Sequence, residues 1–482
     1  MSSILTSGKE GVVNGLVEKL REFKVEYSPI NYYYTPLTMY PRSLTPIRQL
    51  DSNNHKGLAG FNTMFYVHIP YCTTRCTFCP FYLDVSKEVG EEYVDGLVSQ
   101  LERVSSDMDS QPREFNVYFG GGSPNLLSSR QIDRLLKGIT QHQSGSINEV
   151  SIELHPEMVG REGYLQALKE LGIKRVSFGL QSINPEILRR TARHHDARAL
   201  DDILTEAREI GLTVNVDVMY GGFIDETLDD NERTFNHVFS VLQPSWVTGY
   251  QMCVQEGTAE FERYRRESQR YPDNKGILSA RALLHQIAEI NGYPYLGGDY
   301  FSKDKPNPFY QERKWGNKNA VIALGSGTYS YLIDGENMQG VLRWAPFDTE
   351  EYLRLVKDGK SAVEREIAYT PKDVESWIIM SQLKKGRLTD EHLSADFRKK
   401  LEGLATQGFL ERSNGQFRLT EQGILVEDLV YASLIPRATW EKFRQQRKQE
   451  GYSKEAKYDW FFEPETVLRF QEAMTIRGCD PL

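Results

Sequence analysis

The sequence predicts an α/β fold: a partial (β/α)6 TIM-like barrel, a small C-terminal winged-helix-like α+β domain, and an extension at each end. Two observations support this. From residue 65 onwards, short apolar segments alternate with longer amphipathic ones, which is typical of parallel strands joined by helical crossovers. From about residue 370, the pattern changes to short helices followed by one hairpin.

Six segments have the length and apolar character of buried strands. They are 65–70, 116–119, 149–154, 175–180, 213–219 and 246–252. Amphipathic helical patterns lie between them or follow them, at 91–104, 129–140, 163–171, 184–193, 196–210 and 229–242. In parallel barrels, the functional residues collect at the carboxyl ends of the strands. We therefore expect the site at that edge.

Changes of pattern divide the chain into five predicted segments. These are an N-terminal extension (1–60), the barrel (61–300), a loop-rich connecting segment (301–365), the winged-helix-like domain (366–437) and a C-terminal extension (438–482). Within them, 258–300 predicts a long amphipathic helix followed by a Gly/Tyr-rich stretch, and 408–419 predicts a hairpin with its turn at 413–415. The aromatic stretch 32–40 either packs on the barrel or covers a flat substrate.

Composition limits the cellular location and the partners. The 482 residues are 39% hydrophobic and 26% charged, as in an ordinary globular protein. A net charge of -9 argues against a nucleic-acid partner. No apolar run is long enough to span a membrane, and Lys9 and Glu10 interrupt the place where a secretory signal needs an apolar core. We predict a cytoplasmic monomer that acts on a small molecule.

Clustered cysteines give the first functional signal. The chain has five cysteines, at positions 72, 76, 79, 253 and 479. In a reducing compartment, such clustering favours metal or redox chemistry over disulfides. Cys72, Cys76 and Cys79 directly follow a predicted strand, and three thiolates at this spacing can bind three corners of a [4Fe-4S] cluster and leave one iron open. A zinc site needs a fourth ligand; the candidate, His68, lies within the strand.

The segment 66–79, Y-x-H-I-P-x-C-x3-C-x-F-C, resembles the radical S-adenosylmethionine (SAM) superfamily. Within it, the motif is similar to a subgroup of oxygen-independent coproporphyrinogen oxidases, haem chaperones and class C radical SAM methylases. The resemblance covers about residues 60–435. It implies that SAM chelates the open iron and is cleaved by one electron to methionine and a 5′-deoxyadenosyl radical. A flavodoxin or ferredoxin-type protein would donate the electron.

The resemblance also implies roles for individual residues at the strand ends. Tyr66, Gly121 and Glu153 would bind the cluster-bound SAM. A second SAM molecule would contact six residues: Phe78, Gly122, Ser123, Gln181, Arg193 and Asp217. Ser123 stands where the family usually has threonine. Tyr66, Glu153 and Cys253 are the candidate catalytic residues; Cys253 is either a small buried residue or a thiol that donates a hydrogen atom. Cys479 is predicted to be uninvolved.

Departures from the subgroup patterns decide the predicted branch. Pro80 and Phe81 stand where the coproporphyrinogen oxidases carry a further cysteine, so we predict that the protein is not such an oxidase. Gln311 replaces a histidine of the haem chaperones, although 250–258 and 325–330 follow the chaperone and methylase pattern. By elimination, we expect a methylase or cyclopropanase that acts on an unsaturated carbon of a planar substrate. The alternatives are a tetrapyrrole enzyme (coproporphyrinogen III dehydrogenation or anaerobic haem degradation) and a haem chaperone.

Overall fold

An eleven-stranded sheet forms the framework of the protein. The computed structural model describes residues 4–31, 58–108, 111–158, 163–195, 199–303, 316–391, 393–450 and 463–475. The strands are β1 (Asn62–Ile69), β2 (Tyr71–Cys72), β3 (Asp84–Val85), β4 (Glu114–Gly121), β5 (Ser146–Leu154), β6 (Arg175–Gln181), β7 (Thr213–Tyr220), β8 (Trp246–Gln251), β9 (Tyr300–Ser302), β10 (Lys318–Leu324), β11 (Tyr329–Asp334), β12 (Gln339–Trp344), β13 (Arg365–Tyr369), β14 (Leu388–Thr389), β15 (Leu410–Ser413) and β16 (Gln416–Leu419). In the large sheet, their order is β13-β12-β11-β10-β1-β4-β5-β6-β7-β8-β9.

Helices cover this sheet and continue beyond it. They are α1 (Ser7–Glu22), α2 (Glu91–Ser106), α3 (Ser129–His142), α4 (Tyr164–Glu170), α5 (Pro185–Arg190), α6 (Ala199–Glu209), α7 (Leu228–Asn236), α8 (Ala259–Glu267), α9 (Asn274–Ile290), α10 (Thr349–Lys357), α11 (Pro371–Lys384), α12 (Ala395–Thr406), α13 (Glu421–Leu425), α14 (Glu427–Leu434), α15 (Arg437–Glu450) and α16 (Pro464–Ala473). None of the helices in these described ranges is long and apolar enough to cross a bilayer.

The predicted parallel barrel core is confirmed. The six predicted strands are β1 and β4 to β8, and each pairs in parallel with the next. Alternation along β1 buries Phe65 and Val67 completely on the helix-covered side, while Tyr66 lies on the other face and is only partly buried. Parallel strands need helical crossovers, so every strand of this core ends at the same edge.

The prediction that 301–365 is a loop-rich connecting segment is wrong. β10 pairs in parallel with β1, and β11, β12 and β13 continue the same sheet as an antiparallel meander. The glycines taken as loop signals, Gly325 and Gly327, adopt φ of 111° and 68° and form the tight turn between β10 and β11. β13 also crosses the predicted boundary at residue 366, because it pairs with β12.

The segment 258–300 contains two helices rather than the single long one that we predicted. α8 ends before Pro272, and the side chain of Asp273 accepts a hydrogen bond from the N–H of Gly276 to begin α9. A proline followed by an N-capping aspartate is a start signal that overrides continuous amphipathic periodicity. The N-terminal helix α1 packs on α9 with Val13, Leu16 and Leu20 fully buried.

The C-terminal elements follow the predicted order of helices and a hairpin. Strands β14, β16 and β15 form a small antiparallel sheet beside α11 and α12. The predicted hairpin is confirmed: β15 and β16 are joined by Asn414 and Gly415, both with positive φ, as a two-residue hairpin turn requires. Three sequence features, 32–40, 311–315 and Cys479, lie outside the described residues.

Candidate cluster and SAM site

The three clustered cysteines lie on one closed loop at the carboxyl end of β1. The chain passes from β1 into β2, which contains Cys72. After the loop that carries Cys76 and Cys79, it forms β3, which pairs in parallel with β2. Two backbone hydrogen bonds close the loop, from Asp84 N to Pro70 O (2.7 Å) and from Ser86 N to Cys72 O (2.9 Å). A third bond, from Cys79 N to Cys76 O (3.1 Å), forms a tight turn between the other two cysteines. All three cysteine residues are therefore held at one end of the barrel.

The chemistry of this donor set fits an iron–sulfur cluster. Ser123 Oγ lies 3.3 Å from Cys72 Sγ, and Arg193 Nη1 lies 3.6 Å from Cys76 Sγ. Each of these two sulfurs therefore has a hydrogen-bond donor beside it. Burial raises the pKa of Cys72, and it raises that of Cys79 to about 12; iron binding therefore has to displace these protons. Among the described residues, no three His, Cys, Asp or Glu side chains converge on a single metal ion. A cuboidal cluster instead takes one thiolate per iron.

A buried glutamate on α8 anchors the outer side of the cysteine loop. The Oγ1 of Thr77, the residue after Cys76, donates to Glu260 Oε2 (2.7 Å), and the N–H of Glu260 donates back to Thr77 O (3.0 Å). Glu260 is 0% exposed and also accepts from Tyr271 OH (2.6 Å) and Arg263 Nη1 (2.9 Å). Sequence analysis missed this anchor, because Glu260 looks like any charged residue of an amphipathic helix.

Two glycines at the end of β4 let the strand approach the cysteine loop. A Cβ on Gly122 would lie 2.6 Å from Tyr71 O and 3.0 Å from Cys72 Sγ. Gly121 has φ of 112°, and a Cβ there would lie 2.6 Å from the His68 ring. These positions therefore exclude larger residues even without a ligand. Their predicted contacts with SAM remain a prediction.

Tyr66 and Glu153 belong to one wall of the site. The Tyr66 ring stacks on Tyr118 (6.0 Å between centroids), and Tyr118 OH donates to Glu153 Oε1 (2.9 Å). The other carboxylate oxygen accepts from the N–H of Gly121 (3.0 Å). His68 lies beside Tyr66, with 3.3 Å between Tyr66 OH and His68 Nδ1, and burial lowers the pKa of its imidazole to about 4. This wall thus presents a fixed carboxylate next to neutral, ring-shaped side chains.

Gln181 and Arg193 form a second wall, which reaches the cysteine loop at Cys76. Gln181 is buried with φ of 68°, a strained conformation for a residue with a side chain, and Tyr250 OH donates to its Oε1 (3.3 Å). Arg193 Nη2 donates to Gly179 O, next to the bulge where β6 shifts its register against β7. The Nε of Arg193 is buried and has no hydrogen-bond partner among the described residues. A buried N–H of a cation without a partner is costly, and an anionic ligand would satisfy it.

Asp217 lies on β7 of this same wall, and its partners lie on its own strand and on the two neighbouring strands. Its carboxylate accepts from Ser177 Oγ (3.1 Å) and Asn215 Nδ2 (2.8 Å). Burial raises the pKa of Asp217, and hydrogen bonds from Thr248, Ser177 and Asn215 together with the charge of Arg193 oppose that shift. The acid that we expected to need partners within an apolar strand is therefore compensated from three directions.

Phe78 lies at an apolar part of the site, and Cys253 follows a residue of the same apolar cluster. Phe78 packs edge-on against Phe223, with 6.1 Å between ring centroids, and joins a small cluster that includes Met219 and Met252. Cys253 follows Met252, and burial raises the pKa of its thiol to about 12, which keeps it protonated. A protonated thiol suits either a buried apolar role or hydrogen-atom donation, so its catalytic role remains a prediction.

Comparisons with known proteins agree with this geometry. A family model described as the Radical SAM superfamily matches residues 66–238. The haem chaperone HemW of Bacillus subtilis is 24% identical over 77% of this chain and 98% of its own length. The haem chaperone HemW of Buchnera aphidicola subsp. Acyrthosiphon pisum is 32% identical, over 41% of this chain and 52% of its own length. The structure of Escherichia coli coproporphyrinogen III oxidase, HemN, described as a radical SAM enzyme, has a TM-score of 0.66 at 22% identity, covering 78% of this chain and 90% of that one.

These findings correct one prediction. We expected a methylase or cyclopropanase, but the curated relatives are named haem chaperone and oxygen-independent coproporphyrinogen III oxidase, which gives methyl transfer and cyclopropanation no support. The elimination was wrong because two local departures, at Phe81 and Gln311, were given more weight than similarity along most of the chain.

The fold, the cysteine loop and the family model point to the same similarity. The cofactors that they imply are a [4Fe-4S] cluster and SAM. The chain is thus similar to the radical SAM superfamily over residues 66–238, and over most of its length to a haem chaperone and to an oxygen-independent coproporphyrinogen oxidase.

Proposed function

We propose that this protein is a radical SAM enzyme that cleaves SAM reductively and acts on a tetrapyrrole. The observation that supports SAM cleavage is the meeting of two polar walls at the cysteine loop, one around Glu153 and the other around Arg193 and Asp217. The support for a tetrapyrrole is that the relatives are named for haem and for coproporphyrinogen, which are both tetrapyrroles.

The residues of the site divide the work between binding and exclusion. Cys72, Cys76 and Cys79 would hold the cluster, which when bound supplies the electron that breaks a C–S bond of SAM. Glu153, fixed by two donors, would accept hydrogen bonds from the first SAM. The Arg193 guanidinium has a buried N–H left to donate to an anionic group. Phe78, which contacts Phe223, would shield part of that side of the loop from water.

We predict that Asp217 serves a second SAM molecule. Asp217→Ala removes the carboxylate that faces Arg193, so we expect one fewer bound SAM per chain and an unchanged cluster. Calorimetry on the reconstituted protein counts the bound SAM, and iron analysis checks the cluster. Asp201→Ala is the control, because Asp201 is a partly exposed carboxylate paired with His237. The same SAM count in wild type and Asp217→Ala contradicts the prediction.

A test of the proposed function compares SAM cleavage with the fate of haem. The reconstituted protein is incubated anaerobically with SAM, dithionite and haem, and 5′-deoxyadenosine, methionine and the porphyrin are quantified. We expect haem to be consumed in proportion to 5′-deoxyadenosine. A haem chaperone is the second candidate, favoured by the near full-length match to the Bacillus subtilis protein. Tight haem binding with little SAM cleavage and no loss of haem supports the chaperone instead.

Coproporphyrinogen III is predicted not to be the substrate. Pro80 and Phe81 follow Cys79 directly, and proline fixes its own φ, so the loop cannot present a further thiol at this point. We therefore expect no protoporphyrinogen and no carbon dioxide when coproporphyrinogen III, SAM and a reductant are supplied anaerobically. Sustained multiple turnover would contradict this prediction and leave the rest of the proposed function intact.

A further inference from the structure

Two exposed apolar side chains lie on the segment that closes the cysteine loop. Among the residues that the structure describes, five large apolar side chains are exposed, and two of them are Phe81 (41%) and Val85 (65%), four residues apart. Single exposed apolar residues are ordinary on a protein surface, but neighbouring ones indicate a candidate binding surface. The other three, Ile30, Val241 and Ile290, lie outside this loop. Neither Phe81 nor Val85 has a role in the SAM site described above.

Each of these two residues is joined to a different cysteine of the loop. Val85 pairs with Cys72 in the β2–β3 ladder, and the residue after it, Ser86, donates its N–H to Cys72 O (2.9 Å). Burial raises the pKa of the Cys79 thiol to about 12, and a hydrogen bond from the N–H of Phe81 opposes that shift. The two apolar side chains therefore lie at the rim of the loop that fits the cluster, and not on a remote surface.

Arg75 adds a positive charge to this rim. Its side chain is exposed, and its Nη2 donates to the carbonyl oxygens of Phe81 (3.4 Å) and Leu83 (3.0 Å). No acidic side chain of the described residues forms an ion pair with it. Asp84, the acid of the same segment, lies by Tyr82, whose pKa is raised to about 12 by burial and by the charge of Asp84. Arg75 therefore keeps an unpaired charge, and its Nε and Nη1 can donate to an incoming carboxylate.

We propose that Phe81, Val85 and Arg75 form a subsite that binds the tetrapyrrole. The ring packs on the two apolar side chains, and a carboxylate at the edge of the ring pairs with the guanidinium. The inference rests on the proposed function and adds to it the residues that hold the substrate. A haem ring is flat and apolar on both faces, whereas its propionate groups are anionic, so it needs an apolar surface with a cation beside it. The rim supplies both on the cysteine loop, next to the place where SAM would be cleaved.

The test compares haem with haem dimethyl ester, in which the carboxylates are esterified and carry no charge. Each probe is titrated anaerobically into the cluster-loaded protein and followed by its absorption. Phe81→Ser is expected to weaken the binding of both probes about tenfold, because both place a ring on this side chain. Arg75→Gln is expected to weaken the binding of haem about tenfold and to leave that of the ester unchanged, since only haem has a carboxylate that loses its cation. Arg75→Lys keeps the charge and should retain most of the affinity for haem.

Ile290→Ser and Arg418→Gln are the matched controls. Ile290 is 73% exposed at the end of α9. Arg418 is an exposed arginine whose Nη2 donates to Gln416 Oε1 (3.4 Å), and like Arg75 it forms no ion pair with a described acid. Both variants should bind both probes like wild type. Full iron content together with wild-type haem affinity in Phe81→Ser and Arg75→Gln overturns the subsite. If Arg75→Gln loses iron, equal affinity of the wild type for haem and for its ester overturns the role of the arginine. Absence of haem binding in the wild type contradicts the proposed function itself, and the subsite with it.

Discussion

Cys76→Ala is expected to abolish cluster binding and all SAM cleavage. The three thiolates are predicted to hold three corners of the cluster, so the removal of one would leave two irons without protein ligands. Cys76 has a further role in the loop, because its carbonyl accepts the N–H of Cys79 and its sulfur lies beside Arg193. The backbone bond survives in the alanine variant, so the loss is specific to the thiolate. Iron and sulfide analysis with visible absorption spectra measures the result.

Cys253→Ala is the control for this experiment. Cys253 follows β8 and lies outside the cysteine loop, so we expect full iron content in this variant. A lower yield of product with normal cluster and normal SAM binding would support its role as a hydrogen-atom donor. A Cys72/Cys76/Cys79 triple alanine variant that retained full iron content would contradict the assignment of the cluster to this loop.

Periodicity predicted the barrel core because the apolar residues of each strand indicate its burial from the local sequence alone. β6 and β7 are almost wholly apolar on the helix-covered face, with Val176, Phe178, Val214 and Val216 fully buried, and amphipathic helices separate them. β10 carries an equally apolar run, but prolines precede it and glycines follow it, so local pattern favoured a loop there. Its partner β1 lies more than 250 residues earlier in the chain (Asn62 pairs with Asn319), and a pairing over that distance leaves no local trace.

The site shows the same division between local and long-range information. The cysteine spacing and the strand-end residues Glu153 and Asp217 could be found from the sequence, because motif and strand position are local. Glu260 could not be found from the sequence, because its contact with Thr77 spans 183 residues and depends on how α8 packs against the cysteine loop. A charged residue on an amphipathic helix predicts exposure, whereas Glu260 is fully buried by Tyr271, Arg263 and the loop itself. Such anchors require tertiary structure to be recognised.

A buried arginine joins the barrel to the C-terminal helices, and its replacement is expected to have the largest effect on stability. Arg281 on α9 is 1% exposed. Its Nη2 donates to Asp299 Oδ1 (3.1 Å) and to Glu427 Oε1 (2.7 Å), and its Nη1 donates to Asp428 Oδ2 (3.2 Å). Glu427 also accepts from Tyr431 OH (2.9 Å). Three buried carboxyl groups thus surround one buried guanidinium.

Arg281→Met should lower the free energy of unfolding by about 3–5 kcal/mol, because it leaves buried acids without their cation. Burial already raises the pKa of Asp299 and of Glu427, and the positive charge of Arg281 opposes both shifts. Urea denaturation measures the change through the midpoint and the slope. Arg354→Met, which removes one partner of an exposed i,i+3 pair, should cost about 0–0.5 kcal/mol.

The position of Arg281 and its three acidic partners also predicts which part of the Arg281→Met variant unfolds first. Asp299 precedes β9 of the barrel sheet, whereas Glu427 and Asp428 begin α14, 146 and 147 residues after Arg281, so the guanidinium bridges two distant parts of the chain. Without it, the C-terminal helices should open before the barrel, which limited proteolysis detects as early cleavage after residue 370. Combining Arg281→Met with Glu427→Gln and Asp428→Asn removes the unpaired charges and should restore part of the stability. A single Arg281→Met variant as stable as Arg354→Met would show that the acids are neutral in the folded protein and that the arginine contributes no net stabilisation.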